Sequence, residues 1–139
     1  MILAELSASK QNYLKAVYEL EKNGKGARIS DIAAMIGVTK PSACLAVQVL
    51  EKKDFIKRDD SRLVYLTPAG ERQAILSYDK YTIVRQFLVE VLAVEDAIAA
   101  QDALAIEQVI SVDTLCCLCR FTNKNEQRHR CSIGCHEMI

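Results

Sequence analysis

Residues 27–56, ARISDIAAMIGVTKPSACLAVQVLEKKDFI, constrain the fold more than any other stretch of this chain. Two short amphipathic segments flank Gly37-Val38-Thr39. The first, residues 30–36, reads as a helix with Ser30 as its N-cap and Ile32, Ala33 and Ile36 inward. The second, residues 40–54, carries Pro41 in its first turn, where a missing N–H costs nothing. Its inward set is Ala43, Val47 and Leu50, with Leu45 or Ala46 at the boundary. Only a tight turn fits between the two, and the small residues Ala33, Ala34 and Gly37 let the helices meet at a steep angle. That is a helix-turn-helix pattern.

The flanks extend it. Residues 9–23 place Tyr13, Leu14, Val17, Tyr18 and Leu20 on one helical stripe, with Ser9 as cap and Gly24 and Gly26 as the stop. After the pattern comes FIKRDDSRLVYLTPAG, in which 55–57 and 63–66 are strand signals around the polar turn Asp59-Asp60-Ser61. Three short helices followed by a small hairpin is the winged helix-turn-helix order. A long helix is predicted over 68–91, with Ile75, Tyr78, Thr82, Leu88 and Val91 sharing a side. Ile83, Val84 and Phe87 widen that stripe beyond what one small lobe can cover. Residues 94–121 read as two or three further helices, the last capped by Ser111 with Asp113 in its first turn. The expected fold is therefore mainly α: a winged helix-turn-helix over 1–70, a helical region over 71–115 and a cysteine-rich tail over 116–139.

The apolar stretches are too short, and too interrupted by charge, for a membrane span, and the N-terminus lacks the basic start of a secretory signal. A cytoplasmic location and no membrane partner are the expectation. Net charge is zero, but residues 1–70 carry eleven Lys and Arg against eight Asp and Glu, whereas 71–115 carry three against eight. A basic front suits contact with a polyanion. No Ser/His/Asp or Cys/His arrangement and no glycine run that would cradle a phosphate is visible, so an enzyme is not expected.

Five of the six cysteines lie within LCCLCRFTNKNEQRHRCSIGC, residues 115–135. Cys116, Cys119, Cys131 and Cys135 have the pair-plus-pair layout of a four-thiolate site, which suits a [4Fe–4S] cluster or zinc. Cys117 turns away from the 116/119 side, and His129 and His136 are reserve ligands. Cys44, within the third helix, reads as a buried small hydrophobe.

Residues 10–112 resemble the metal-dependent repressors of the diphtheria toxin repressor and manganese transport regulator family. The resemblance rests on NYLKAVYELEKNG, on the helix-turn-helix, on LVYLTPAGE, and on VRQFLVEVLAVEDAIAAQDALAIEQVIS. It implies a homodimer on double-stranded DNA, with each third helix in a major groove of a palindromic operator and the second half forming the dimer contact. On that reading Thr39, Lys40, Ser42 and Ala43 face base edges, the Ala43 methyl touching thymine. Arg28, Lys52, Lys57, Arg58 and Arg62 face phosphates, with Arg62 on the wing.

The sequence departs from the family where the resemblance places its divalent-metal ligands. Asn12, Lys15, Tyr81, Leu104, Glu107 and Gln108 stand there, and of these only Glu107 suits iron(II) or manganese(II). The usual site is then mostly absent. The expected function is a sequence-specific transcriptional regulator, a repressor by resemblance, responding to iron, oxygen or redox state through the cysteine centre. The alternative is a winged-helix structural or partner-binding protein with a structural zinc site and no operator.

Overall fold

The computed structural model describes residues 6–21 and 24–123. The order of elements is α1 (Ala8–Leu20), α2 (Ile29–Ile36), α3 (Lys40–Lys52), β1 (Ile56–Arg58), β2 (Val64–Leu66), α4 (Pro68–Glu90), α5 (Asp96–Ile106) and α6 (Val112–Thr122). The fold is mainly helical, as expected: a helix-turn-helix, a β-hairpin wing and a C-terminal set of helices. The chain divides into two compact units between Ala74 and Ile75, within α4.

In the first unit, Leu14, Val17, Ile32, Val47, Leu50, Ile56 and Val64 are wholly buried or nearly so, and form one core with Tyr13 and Ala43. Burying each large aliphatic side chain contributes about 1.5–3 kcal/mol. The inward positions of α3 are Ala43, Ala46, Val47 and Leu50, so Ala46 and not Leu45 completes the buried stripe. Ala34, expected between α2 and α3, is exposed; Ala33 alone of the alanine pair is buried. Gly37 takes φ +83 as the left-handed residue closing α2, and its N–H donates to the Ala33 carbonyl at 2.9 Å.

The caps differ from expectation at two starts. Ser7, not Ser9, caps α1: its backbone is extended and its hydroxyl accepts from Lys10 N at 3.2 Å, whereas Ser9 already lies inside the helix. Ser30 is likewise inside α2, whose N-cap is Arg28 with no side-chain cap bond. In both cases the helix begins earlier than the apolar periodicity suggests.

The wing pairs β1 and β2 antiparallel, with Ile56 opposite Leu66 and Arg58 opposite Val64. Ala27 joins it through two hydrogen bonds with Val64, both 2.8 Å. Glu21, just past α1, accepts from Leu66 N at 3.0 Å and so ties the end of α1 to β2. At the base of the wing the Thr67 hydroxyl donates to the Asp54 carbonyl at 2.6 Å and accepts from Gly70 N at 3.1 Å, starting α4.

The second unit has its own core of Ile83, Val84, Ala103, Leu115 and Cys119, with Tyr81, Leu88, Ile106, Ile110, Cys116 and Leu118 packed against it. The predicted stripe of α4 is therefore corrected. Thr82 is exposed, Val91 lies exposed beyond the helix end, and Ile83 and Val84 carry the burial. Ser111 caps α6 by accepting from Thr114 N at 3.1 Å. Among the described residues no single helix is long and apolar enough to cross a membrane.

Candidate functional site

The axes of α2 and α3 turn by 108° across Gly37, Val38 and Thr39, within the range that helix-turn-helix pairs adopt. Thr39 is the N-cap of α3. Its Oγ1 accepts from Ser42 N at 3.3 Å and donates to Ser42 Oγ at 2.9 Å. Thr39, Lys40 and Ser42 are all exposed at the start of this helix, but the two hydroxyls are engaged with each other. Ala43 is different. It is 0% exposed and packs in the core, so its methyl faces Leu50 and its neighbours and is not available to a thymine. That expectation is corrected by a periodicity already visible in the sequence, since position 43 shares its side with 47 and 50.

The outward side of α3 instead carries Leu45, Gln48, Val49 and Lys52, all exposed. The signal that could have found the first three is their spacing from Ser42, three, six and seven residues on, opposite the buried set. Cys44 is half-buried between the two sides.

The basic residues expected at phosphates are held in different ways. Arg28 is exposed at the start of α2, Lys52 in the last turn of α3, and Lys57 on β1. Arg58 is half-buried, and its guanidinium donates to Glu51 at 2.7 Å. The hydrogen bond to Glu51 raises its pKa above the ordinary guanidinium value, against the opposing effect of desolvation. Its charge is permanent, but one side of the fork is committed to Glu51. Arg62 is exposed at the hairpin tip with φ +64. Asp59 shapes that tip: its Oδ1 accepts from Ser61 N and Leu63 N at 2.9 Å each, and its Oδ2 from the Tyr65 hydroxyl at 3.2 Å. The tip is thus a short, internally bonded turn that presents Arg62.

In the second unit, Cys116 and Cys119 lie one turn apart on the side of α6 that, with Leu115, joins the core of Ile83, Val84 and Ala103. Cys119 is 2% exposed and accepts from Asn123 Nδ2 at 3.3 Å. Cys117 is exposed, with Arg120 Nη2 3.4 Å from its sulfur. Cys131 and Cys135 lie outside the described residues, as do His129 and His136.

Glu107, at the end of α5, is wholly buried; Leu104 is about half exposed, and Asn12, Lys15, Tyr81 and Gln108 are half-buried. Among the described residues no group of three His, Cys, Asp or Glu could hold a metal ion. Iron(II) and manganese(II) favour carboxylate and imidazole donors, so the described residues do not fit such an ion. Leu104 has no donor atom, and Lys15 is a cation where the resemblance puts a ligand.

Comparison with known proteins agrees with the fold. Residues 5–62 match the N-terminal DNA-binding domain of the iron-dependent repressors, and residues 67–133 match their metal-binding and dimerisation domain. The transcriptional regulator MntR of Salmonella typhimurium is 34% identical over 114 residues, covering 82% of this chain and 72% of its own. The chain belongs to the iron-dependent repressor and MntR family of DNA-binding transcriptional regulators, whose members are not enzymes. Among solved structures, the manganese regulator SloR superposes with a TM-score of 0.70 at 26% identity, over 82% of this chain and 53% of that one. A hypothetical protein from Sulfolobus solfataricus shares the fold along nearly its whole length, with a TM-score of 0.77, 22% identity, and 93% and 96% of the two chains covered. The matched part of this chain thus spans about half the length of that manganese regulator.

Proposed function

We propose that the protein is a transcriptional repressor whose homodimer reads a palindromic operator, and whose signal enters through Cys116, Cys119, Cys131 and Cys135 rather than through a family-type divalent ion. The regulatory role and the homodimer on DNA are those of the family. The observation that carries the finer reading is the placement of the only two described cysteines that share a side of α6. Cys116 and Cys119 are one turn apart on the packed side of that helix, the spacing that lets two thiolates reach one centre.

Such a centre, when bound, supplies thiolate-ligated iron or zinc chemistry, and a [4Fe–4S] cluster and zinc both accept four cysteine sulfurs. The chain's own contribution is legible around Cys119. Its sulfur is buried among apolar side chains and accepts an N–H from Asn123 at 3.3 Å, which fixes the orientation of the side chain. Iron–sulfur ligation would make the repressor responsive to iron supply, oxygen or redox state; zinc would act as a fixed staple.

A second reading is favoured by the burial of Cys119 in the apolar cluster. There the thiols are packing residues, and the regulator carries no sensed centre. Anaerobic purification of the full chain, with a visible absorption spectrum and analysis for iron, sulfide and zinc, decides between them. The centre is expected in the wild-type chain and in Cys117→Ser, and is expected to be lost or much weakened in Cys116→Ser and Cys131→Ser. A chain purified without iron or zinc, and taking up neither on reconstitution, supports the packing reading.

A further inference from the structure

We infer that Leu45 and Gln48 are the side chains of α3 that select the operator, and that they select neighbouring A·T pairs. Leu45 would meet the thymine methyl and Gln48 the adenine edge. The inference rests on the reading of the protein as an operator-binding regulator.

The first support is position. Ala43, Ala46, Val47 and Leu50 anchor one side of α3 in the core, so Leu45, Gln48, Val49 and Lys52 are turned outward. Leu45 is 64% exposed and Val49 38%. A single exposed leucine needs no explanation. Here, however, two exposed aliphatic residues one turn apart lie on the outward side of a helix within the matched DNA-binding domain. Lys40 and Lys52 stand at its two ends. Cations at the ends suit phosphates, whereas aliphatic groups between them cannot bind phosphate. The group in a major groove that rewards an aliphatic contact is the C5-methyl of thymine.

The second support is chemistry at position 48. A neutral amide carries one donor and one acceptor side, which matches N7 and N6 of adenine in a bidentate pair. Leu45 and Gln48 are three residues apart and so neighbours on the helix surface, roughly 5–6 Å between Cβ atoms. Base pairs stack about 3.4 Å apart, so the two side chains address adjacent or next-adjacent pairs. The third support is what α3 lacks. It carries no arginine, the residue that most often pairs with guanine. The hydroxyls of Thr39 and Ser42 are bonded to each other in the cap.

The test uses the full chain and a pool of duplexes with a randomised central sequence. The wild-type protein is expected to enrich half-sites containing adjacent A·T pairs. Replacing the enriched thymines one at a time by deoxyuridine removes only the methyl group. At one position per half-site this should weaken wild-type binding by about fourfold, the effect of one buried methyl-sized group. The same replacement should leave Leu45→Ala unaffected. Gln48→Ala should weaken binding to the enriched sequence by about tenfold or more while leaving random duplex unchanged. If uracil acts equally on wild type and Leu45→Ala, or if Gln48→Ala selects the same sequence, the assignment is overturned while the operator-binding reading stands. If the wild-type chain enriches no sequence, the operator reading fails and takes this assignment with it.

Discussion

Gly70 sits in the first turn of α4, where an ordinary helix gains from alanine. Replacing glycine by alanine in a helix stabilises it by about 1 kcal/mol through backbone entropy. The structure reverses that sign. A Cβ built on Gly70 would fall well inside van der Waals contact distance of the Phe55 carbonyl oxygen, and would also lie 3.0 Å from the Phe55 carbonyl carbon and 3.2 Å from Leu66 Cδ2. The closest of these atoms is backbone, so it cannot swing aside as a side-chain end would. It is also the acceptor for Thr67 N at 3.1 Å, a bond that any shift of Phe55 would stretch. Overpacking of this kind costs about 1–3 kcal/mol, and a backbone obstacle puts it at the upper end. Set against the gain of about 1 kcal/mol, Gly70→Ala should destabilise the first unit by about 2 kcal/mol. For a unit of this size that lowers the melting temperature by roughly 8–16 °C. Thermal and urea unfolding followed by circular dichroism would measure it. Gly37→Ala is the control: its added Cβ meets nothing within 4 Å, so only the φ of +83 opposes it, at about 1 kcal/mol. A Gly70→Ala protein as stable as the wild type, or more so, would refute the reasoning, because helix propensity would then outweigh the contact.

Two further outcomes are expected. Arg62, exposed on the turn that Asp59 organises, should contact a phosphate, so Arg62→Ala should weaken binding to every duplex alike and reduce the salt slope by about 0.9 for each protomer of the dimer; an unchanged slope in a titration against salt would remove it from the interface. Added manganese should leave operator affinity unchanged, since the described residues gather no three donors for it; tightening in a manganese titration, retained after Cys116→Ser, would point to a divalent site elsewhere in the chain.

Much of this fold is legible in the sequence because its determinants are local. Pro41 in the first turn, Ser111 three residues before the amide it caps, and the spacing of Ala43, Val47 and Leu50 act within one or two helical turns. Propensity and period record such interactions directly. The wing is legible for the same reason, with Asp59 closing a turn to residues two and four positions on. The family resemblance is carried by these local patterns.

Other features depend on partners far along the chain, and only the tertiary structure decides them. The choice between Leu45 and Ala46 is one, because a boundary position goes inward or outward according to what packs across from it. The face of α4 is another: Ala74 belongs to the first core, Ile83 and Val84 to the second, so no single stripe runs the length of that helix. The Glu51–Arg58 pair and the Glu21–Leu66 bond join residues from different elements, and charge pattern alone does not show that Arg58 is already engaged. For Gly70, composition records a glycine in a helix; only the approach of the Phe55 carbonyl explains why a side chain there has no room. Cys119 carries the same lesson at the candidate centre. Its spacing from Cys116 is set by the helix and readable from the sequence, whereas its burial beside Ile83 and Leu115 follows from how α6 packs on its neighbours.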